Sequence, residues 1–78
     1  MLNVDILDKL RTSLPPVFGR RYVEEITGGL IKMHTLANWD ALGEGPETFK
    51  LANKVGYEKE SFLKWLEPRI KQVREKDM

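Results

Sequence analysis

The residues best able to do chemistry are Lys32, His34, Thr35 and Asn38, four polar or basic side chains within seven positions. Their chemistry is that of nucleic-acid recognition. Asn can pair with adenine through two hydrogen bonds, Thr can meet phosphate or a thymine methyl, and Lys can neutralise phosphate or reach guanine. The plainer reading is a solvated helix face. His34 is the only histidine and there is no cysteine, which makes a zinc site a poor reading. Asp40 follows on the same segment and would repel phosphate, so it is expected to point sideways or to balance a nearby base.

Catalysis finds no arrangement to support it. Ser13 and Ser61 lie in unrelated segments, and Glu24-Glu25 is an adjacent pair with nothing to raise a carboxyl pKa. Gly43-Glu44-Gly45-Pro46 lacks the Lys-Ser/Thr that follows a phosphate-cradling loop. The expectation is a non-enzyme without cofactor or metal. A second tier of contacts consists of Arg20 and Arg21, placed in the first turn of a helix where the dipole favours an anion. For these two, a phosphate clamp and a pairing with Glu24 or Glu25 both remain open. Lys50 and Lys54 flank a hairpin tip and are expected on the DNA backbone. Trp39, Trp65, Phe49, Phe62 and Tyr57 could stack on bases. They fall at core positions, and a domain this small needs its large apolar residues inside.

The elements that must hold these residues are legible from proline, glycine and apolar spacing. Asn3 to Ser13 is predicted as an amphipathic helix with the stripe Val4, Leu7, Leu10 and Leu14, ended by Pro15-Pro16. That stripe is expected to cap the core; the alternative is a face for a partner. A helix from Arg20 to about Thr27 follows, with Gly19 as its start and Gly28-Gly29 as its stop. Lys32 to Ala41 is the next helix, with Met33, Leu36 and Trp39 inward; Lys32 is a poor cap for it. Phe49-Lys50-Leu51 and Val55-Gly56-Tyr57 alternate as two short strands around Ala52-Asn53-Lys54. Glu60 to Glu67 closes the fold as a helix carrying Phe62, Leu63, Trp65 and Leu66. Pro68 kinks it or begins another, and Ile70 and Val73 suggest a further turn or two.

Length allows one domain: 78 residues bury only about 60% of their unfolded surface. Thirteen basic and twelve acidic residues give a net charge of +1, lower than is usual for a nucleic-acid binder. A DNA-binding face must therefore come from sorting charges in space, with acids turned away from phosphate. No apolar run approaches the roughly 20 residues of a membrane span. The first residues lack the basic-then-apolar order of a signal peptide. A soluble, cytoplasmic protein is the resulting expectation.

The segments TGGLIKMHTLANWDALGEGP (27–46) and FKLANKVGYEKESFLKWLEPR (49–69) resemble the excisionase-like, MerR-type winged helix-turn-helix proteins of prophages and mobile elements. The resemblance rests on Thr35-Leu36, the Gly43-x-Gly45-Pro46 turn, Tyr57 ending the wing and the later Trp65-Leu66. It implies an α+β fold: a small winged helix-turn-helix with a two-stranded wing, a C-terminal helix and an extra N-terminal helix. Residues 1–16 would form that helix and linker, 17–69 the DNA-binding domain, and 70–78 a charged, partly helical tail. By the same resemblance the helix at 32–41 enters the major groove of double-stranded DNA and the wing touches the neighbouring backbone. The implied function is an excisionase that bends DNA and directs an integrase, with self-association along DNA, and the implied setting is bacterial and nucleoid-associated. Where the family usually has Gly-Arg in the wing, this chain has Asn53-Lys54, which loses the planar fork. A transcriptional regulator needs the same reading head, and an adaptor that keeps the fold without DNA affinity is the alternative from another class.

Overall fold

Val17-Phe18-Gly19, expected only as the approach to a helix, is a strand. In this computed structural model, which describes residues 2–70 and side chains from Ile6 onward, it is the first strand of a small α+β domain. The order is α1 (Leu2–Ser13), β1 (Val17–Gly19), α2 (Arg20–Ile26), α3 (Met33–Ala41), β2 (Phe49–Leu51), β3 (Lys54–Glu58) and α4 (Lys59–Leu66). A single 3-10 turn, Glu67–Arg69, follows, with Pro68 in the first-turn position that tolerates it. Val73 lies outside the described residues.

The sheet is antiparallel in the order β1-β3-β2. Phe18 pairs with Tyr57 and Gly19 with Gly56; on the other side Phe49 pairs with Gly56 and Leu51 with Lys54. Three residues are too few for alternation to announce β1. It exists because β3 offers it a ladder, extended by the Lys59 amide donating to the Pro16 carbonyl at 2.9 Å. Strand period then divides the sheet into two faces. Phe18, Tyr57 and Val55 look toward the helices, whereas Val17, Phe49, Leu51 and Lys54 look away. Phe49, expected in the core, lies on that outer face with its ring over Gly56, where a Cβ would come within 2.8 Å of the ring.

Val23, Leu36, Tyr57 and Phe62 are fully buried and centre the core. Phe62 meets Phe18 edge-on at 5.2 Å, a geometry aromatic pairs favour. Leu7 and Leu14 belong to the same cluster, and Leu10 packs against it. The N-terminal helix is therefore a wall of the core. Lys59 Nζ donates to the Arg11 carbonyl at 3.1 Å, and Arg11 pairs with Glu60, holding α1 to the start of α4. α4 is capped by Glu58, which accepts from the Glu60 and Ser61 amides; these bonds hold the Glu58 carboxyl below its ordinary pKa. No helix among the described residues is long and apolar enough to cross a membrane.

The Gly28 stop acts as expected, and Gly43, in a segment read as a turn, ends α3 in the same way. Gly28 (φ +62°) and Gly43 (φ +75°) take the left-handed conformation after α2 and α3. In each case two amides turn back onto the last helical carbonyls: Gly28 and Gly29 onto Glu25 and Glu24, Gly43 and Glu44 onto Asp40 and Trp39. This is the Schellman arrangement. The hairpin turn is less well served. Its two residues are Ala52 and Asn53, and Ala52 holds φ +58°, a region that costs an L-residue about 1–2 kcal/mol. Ala52→Gly is therefore expected to raise the unfolding free energy by about 0.5–1 kcal/mol, the relief of strain exceeding the entropy lost by glycine. Chemical denaturation checks this; an unchanged or lower midpoint would show that the turn carries no such strain.

Candidate nucleic-acid interface

Leu36 and Trp39 anchor α3. Leu36 is fully buried, and Trp39 meets Trp65 of α4 at 5.5 Å between ring centres. That contact fixes which way α3 faces. At helical spacing, His34, Asn38 and Ala41 share the face opposite Leu36 and Trp39, and all three are exposed. Thr35 is half-buried at the margin. Met33, expected inward, is partly covered and 37% exposed at the edge of the inward face.

Lys32 makes no side-chain cap for α3. The cap comes from α2 instead: Glu24 Oε1 accepts from the Met33 amide at 2.9 Å, and its second oxygen stands 4.0 Å from Lys32 Nζ. A carboxylate at a helix N-terminus satisfies an orphan donor and complements the dipole. Between the two helices, the Thr27 hydroxyl donates to the Val23 carbonyl at 2.7 Å and accepts from the Ile31 amide at 3.2 Å. The glycine turn is thus pinned at both ends, and α3 has a defined first turn despite its poor local cap.

Arg20 does not turn to Glu24 or Glu25. Its Nη2 and Nε donate to Asp40 Oδ2 at 2.9 and 3.3 Å, and Nε also reaches the Tyr57 hydroxyl at 3.1 Å. Tyr57 donates to the same Asp40 oxygen at 2.6 Å. Burial, with the Asp40 carboxylate beside it, raises the Tyr57 pKa and keeps the hydroxyl protonated as a donor; Asp40 likewise raises that of Arg20. The triad ties α2, α3 and β3 together. It also neutralises Asp40, as expected of an acid on this helix, and gives Arg20 a structural partner in place of a clear phosphate role.

Arg21 is exposed on α2. Lys50 and Lys54 are both exposed but stand on opposite faces of the hairpin. Lys50 is paired with Val55 and shares the face on which α2 and α3 lie, whereas Lys54 is paired with Leu51 on the outer face. His34 and Asn38 thus share one face of α3, Lys50 stands on the helical face of the sheet, and Lys54 stands on the opposite face.

Acids stand in two places: Glu24 caps α3 beside Lys32 and Glu25 is exposed on α2, and a second group surrounds α4. Glu58 and Glu60 are on or next to α4, and Glu47 accepts from Ser61 of α4 at 3.3 Å. α4 packs on the buried side of α3, so this acidic group lies away from His34 and Asn38. The loop between α3 and β2 is held on α4 too: Trp65 Nε1 donates to the Glu44 carbonyl at 2.9 Å, and the Arg69 guanidinium lies 4.3 Å over the Trp65 ring. Sequence reasoning missed the Glu24 cap and this bracket because each joins residues distant in the chain. Among the described residues no group of three or more potential ligands could hold a metal ion. The chain matches no family model, no curated protein and no solved structure in comparisons with known proteins.

Proposed function

We propose that this chain is a winged helix-turn-helix DNA-binding protein that lays the exposed face of α3 in the major groove, with the β2–β3 hairpin as its wing. The observation that carries the reading is the face itself: His34 and Asn38 stand exposed one helical turn apart on a helix fixed from behind by Leu36, Trp39 and the Arg20–Asp40–Tyr57 triad. Asn38 is the base-reading residue, and Lys50, on the same side of the sheet, grips phosphate. The function is that of an excisionase-type architectural factor, which bends DNA for an integrase and acts by binding alone in the cytoplasm. A phage or mobile-element transcriptional regulator would use the same reading head.

Asn38→Ala should weaken specific binding by about 1–3 kcal/mol, the value of a bidentate base contact, while Lys50→Ala weakens all sequences alike and lowers the log–log salt slope by about 0.9. Titration of specific and random duplex at two salt concentrations measures both. Contact with about four phosphates gives a slope near −3.6. Unchanged sequence preference in Asn38→Ala would displace α3 as the reading element. The adaptor reading is favoured by the net charge of +1 and by the exposed apolar residues of the outer sheet face; absence of binding at low salt would decide for it.

A further inference from the structure

Among the described residues nothing covers the outer face of the sheet, which is largely apolar. Val17 is 50% exposed, Phe49 37% and Leu51 71%, and with Gly19, Gly56 and Lys54 they line a shallow groove of about 210 Å³. A groove this small and open falls below the roughly 300 Å³ at which small-molecule sites begin. Its flat form suits another protein surface. Contiguous apolar surface with a polar rim marks such contacts, and the DNA reading of α3 and Lys50 makes no use of it.

Charge selects the partner. Along the outer face of β3 the residues are Lys54, Gly56 and Glu58, a base and an acid placed symmetrically about a glycine. The hydrogen bonds that cap α4 keep the Glu58 carboxyl ionised. If a second identical face is laid on the first with its β3 antiparallel, Lys54 of each copy meets Glu58 of the other. The Phe49 rings beside Gly56 then meet near the axis. The parallel arrangement would instead oppose like charges. We propose that this face is a self-complementary docking surface for a second copy of the chain, joined antiparallel across a two-fold axis near Gly56. An interface of this isologous kind closes at two copies, so it presents two α3 helices as an inverted pair and does not propagate along DNA.

The test is made on the full chain without DNA, so its outcome is independent of the DNA reading. Sedimentation velocity from about 10 μM to about 1 mM spans the affinities of weak dimers. A monomer–dimer equilibrium is expected, with concentration-dependent amide shifts confined to Val17, Phe49, Leu51 and Gly56 in NMR spectra. Lys54→Glu converts two opposed pairs from attractive to repulsive and should weaken the dimer about tenfold, a change equivalent to about 1.4 kcal/mol. Lys54→Arg should retain it. Leu51→Lys, at a largely exposed position that leaves the core untouched, should abolish it. A chain that stays monomeric throughout overturns the proposal, as do shifts that map to α1. Equal dimerisation of wild type and Lys54→Glu overturns the antiparallel arrangement. A monomer whose outer-face shifts appear only on adding duplex assigns the face to DNA.

Discussion

Asp40→Ala is expected to lower the unfolding free energy by about 3 kcal/mol. Removing one partner of a buried ion pair commonly costs about 3–5 kcal/mol because the other charge is left stranded. The Asp40 side chain is only 10% exposed, but Arg20 at 27% can turn partly to water, which reduces that share. The Tyr57 hydroxyl is fully buried and loses its acceptor, a penalty of about 1–3 kcal/mol for a polar group left unsatisfied. For a domain of this length, total stability is about 4–12 kcal/mol, so the melting temperature should fall by roughly 10–20 °C. Tyr57→Phe is the control: it removes one hydroxyl, leaves the Asp40–Arg20 pair intact and should cost about 1 kcal/mol. Equal losses from the two variants in thermal and chemical denaturation would show that the ion pair contributes nothing.

Gly45→Ala is the second large effect, and it acts through the same carboxylate. A Cβ at Gly45 would stand 2.0 Å from Asp40 Oδ1 and 3.3 Å from the Asp40 backbone nitrogen. Asp40 Oδ1 is itself buried with no hydrogen-bond partner, and Oδ2 holds Arg20 and Tyr57, so turning the carboxylate away from a Cβ would break those bonds. Either the carboxylate leaves Arg20 and Tyr57 or the loop leaves its seat under Trp65, and each route costs about 2–3 kcal/mol. The two substitutions should not add. In the Asp40→Ala background the clash with Oδ1 is gone, and Gly45→Ala should then cost about 1 kcal/mol or less, a coupling of the size seen for contacting residues. Additive losses in the four-protein cycle would place the cost of Gly45→Ala in the loop alone.

The hairpin shows how a small difference in register moves side chains from one face of the sheet to the other. Residues 52–54 read as the loop, because they lie between two alternating runs. The structure closes the turn on Ala52 and Asn53 and takes Lys54 into β3 opposite Leu51. Side chains of a strand alternate, so taking one more residue into the ladder fixes the face it occupies. Lys54 is thereby assigned to the outer face and Lys50 to the helical one, although the sequence treats them as a pair. Phe49 moved for a similar reason: an aromatic residue in an alternating run reads as core, but its partner in register is Gly56, whose missing side chain leaves a place for the ring on the outside.

The sequence by itself determined the helices and their ends: Pro15-Pro16 after α1, Gly28-Gly29 after α2, Gly43 after α3, and the stripes that carry Leu7, Leu36, Phe62 and Leu66 into the core. Those signals act within a turn or two of chain, through proline's missing donor, glycine's left-handed freedom and the helical period. The candidate reading face followed from the same period, since His34 and Asn38 lie opposite Leu36 and Trp39. Only the tertiary structure decided the partners of Arg20, the cap of α3, the existence of β1 and the faces of Lys50 and Lys54. Arg20, Asp40 and Tyr57 are 20, 37 and 17 residues apart pairwise, and Glu24 caps a residue nine positions on. Such pairings are chosen by which elements pack together, and a local stretch of sequence holds no record of that distance.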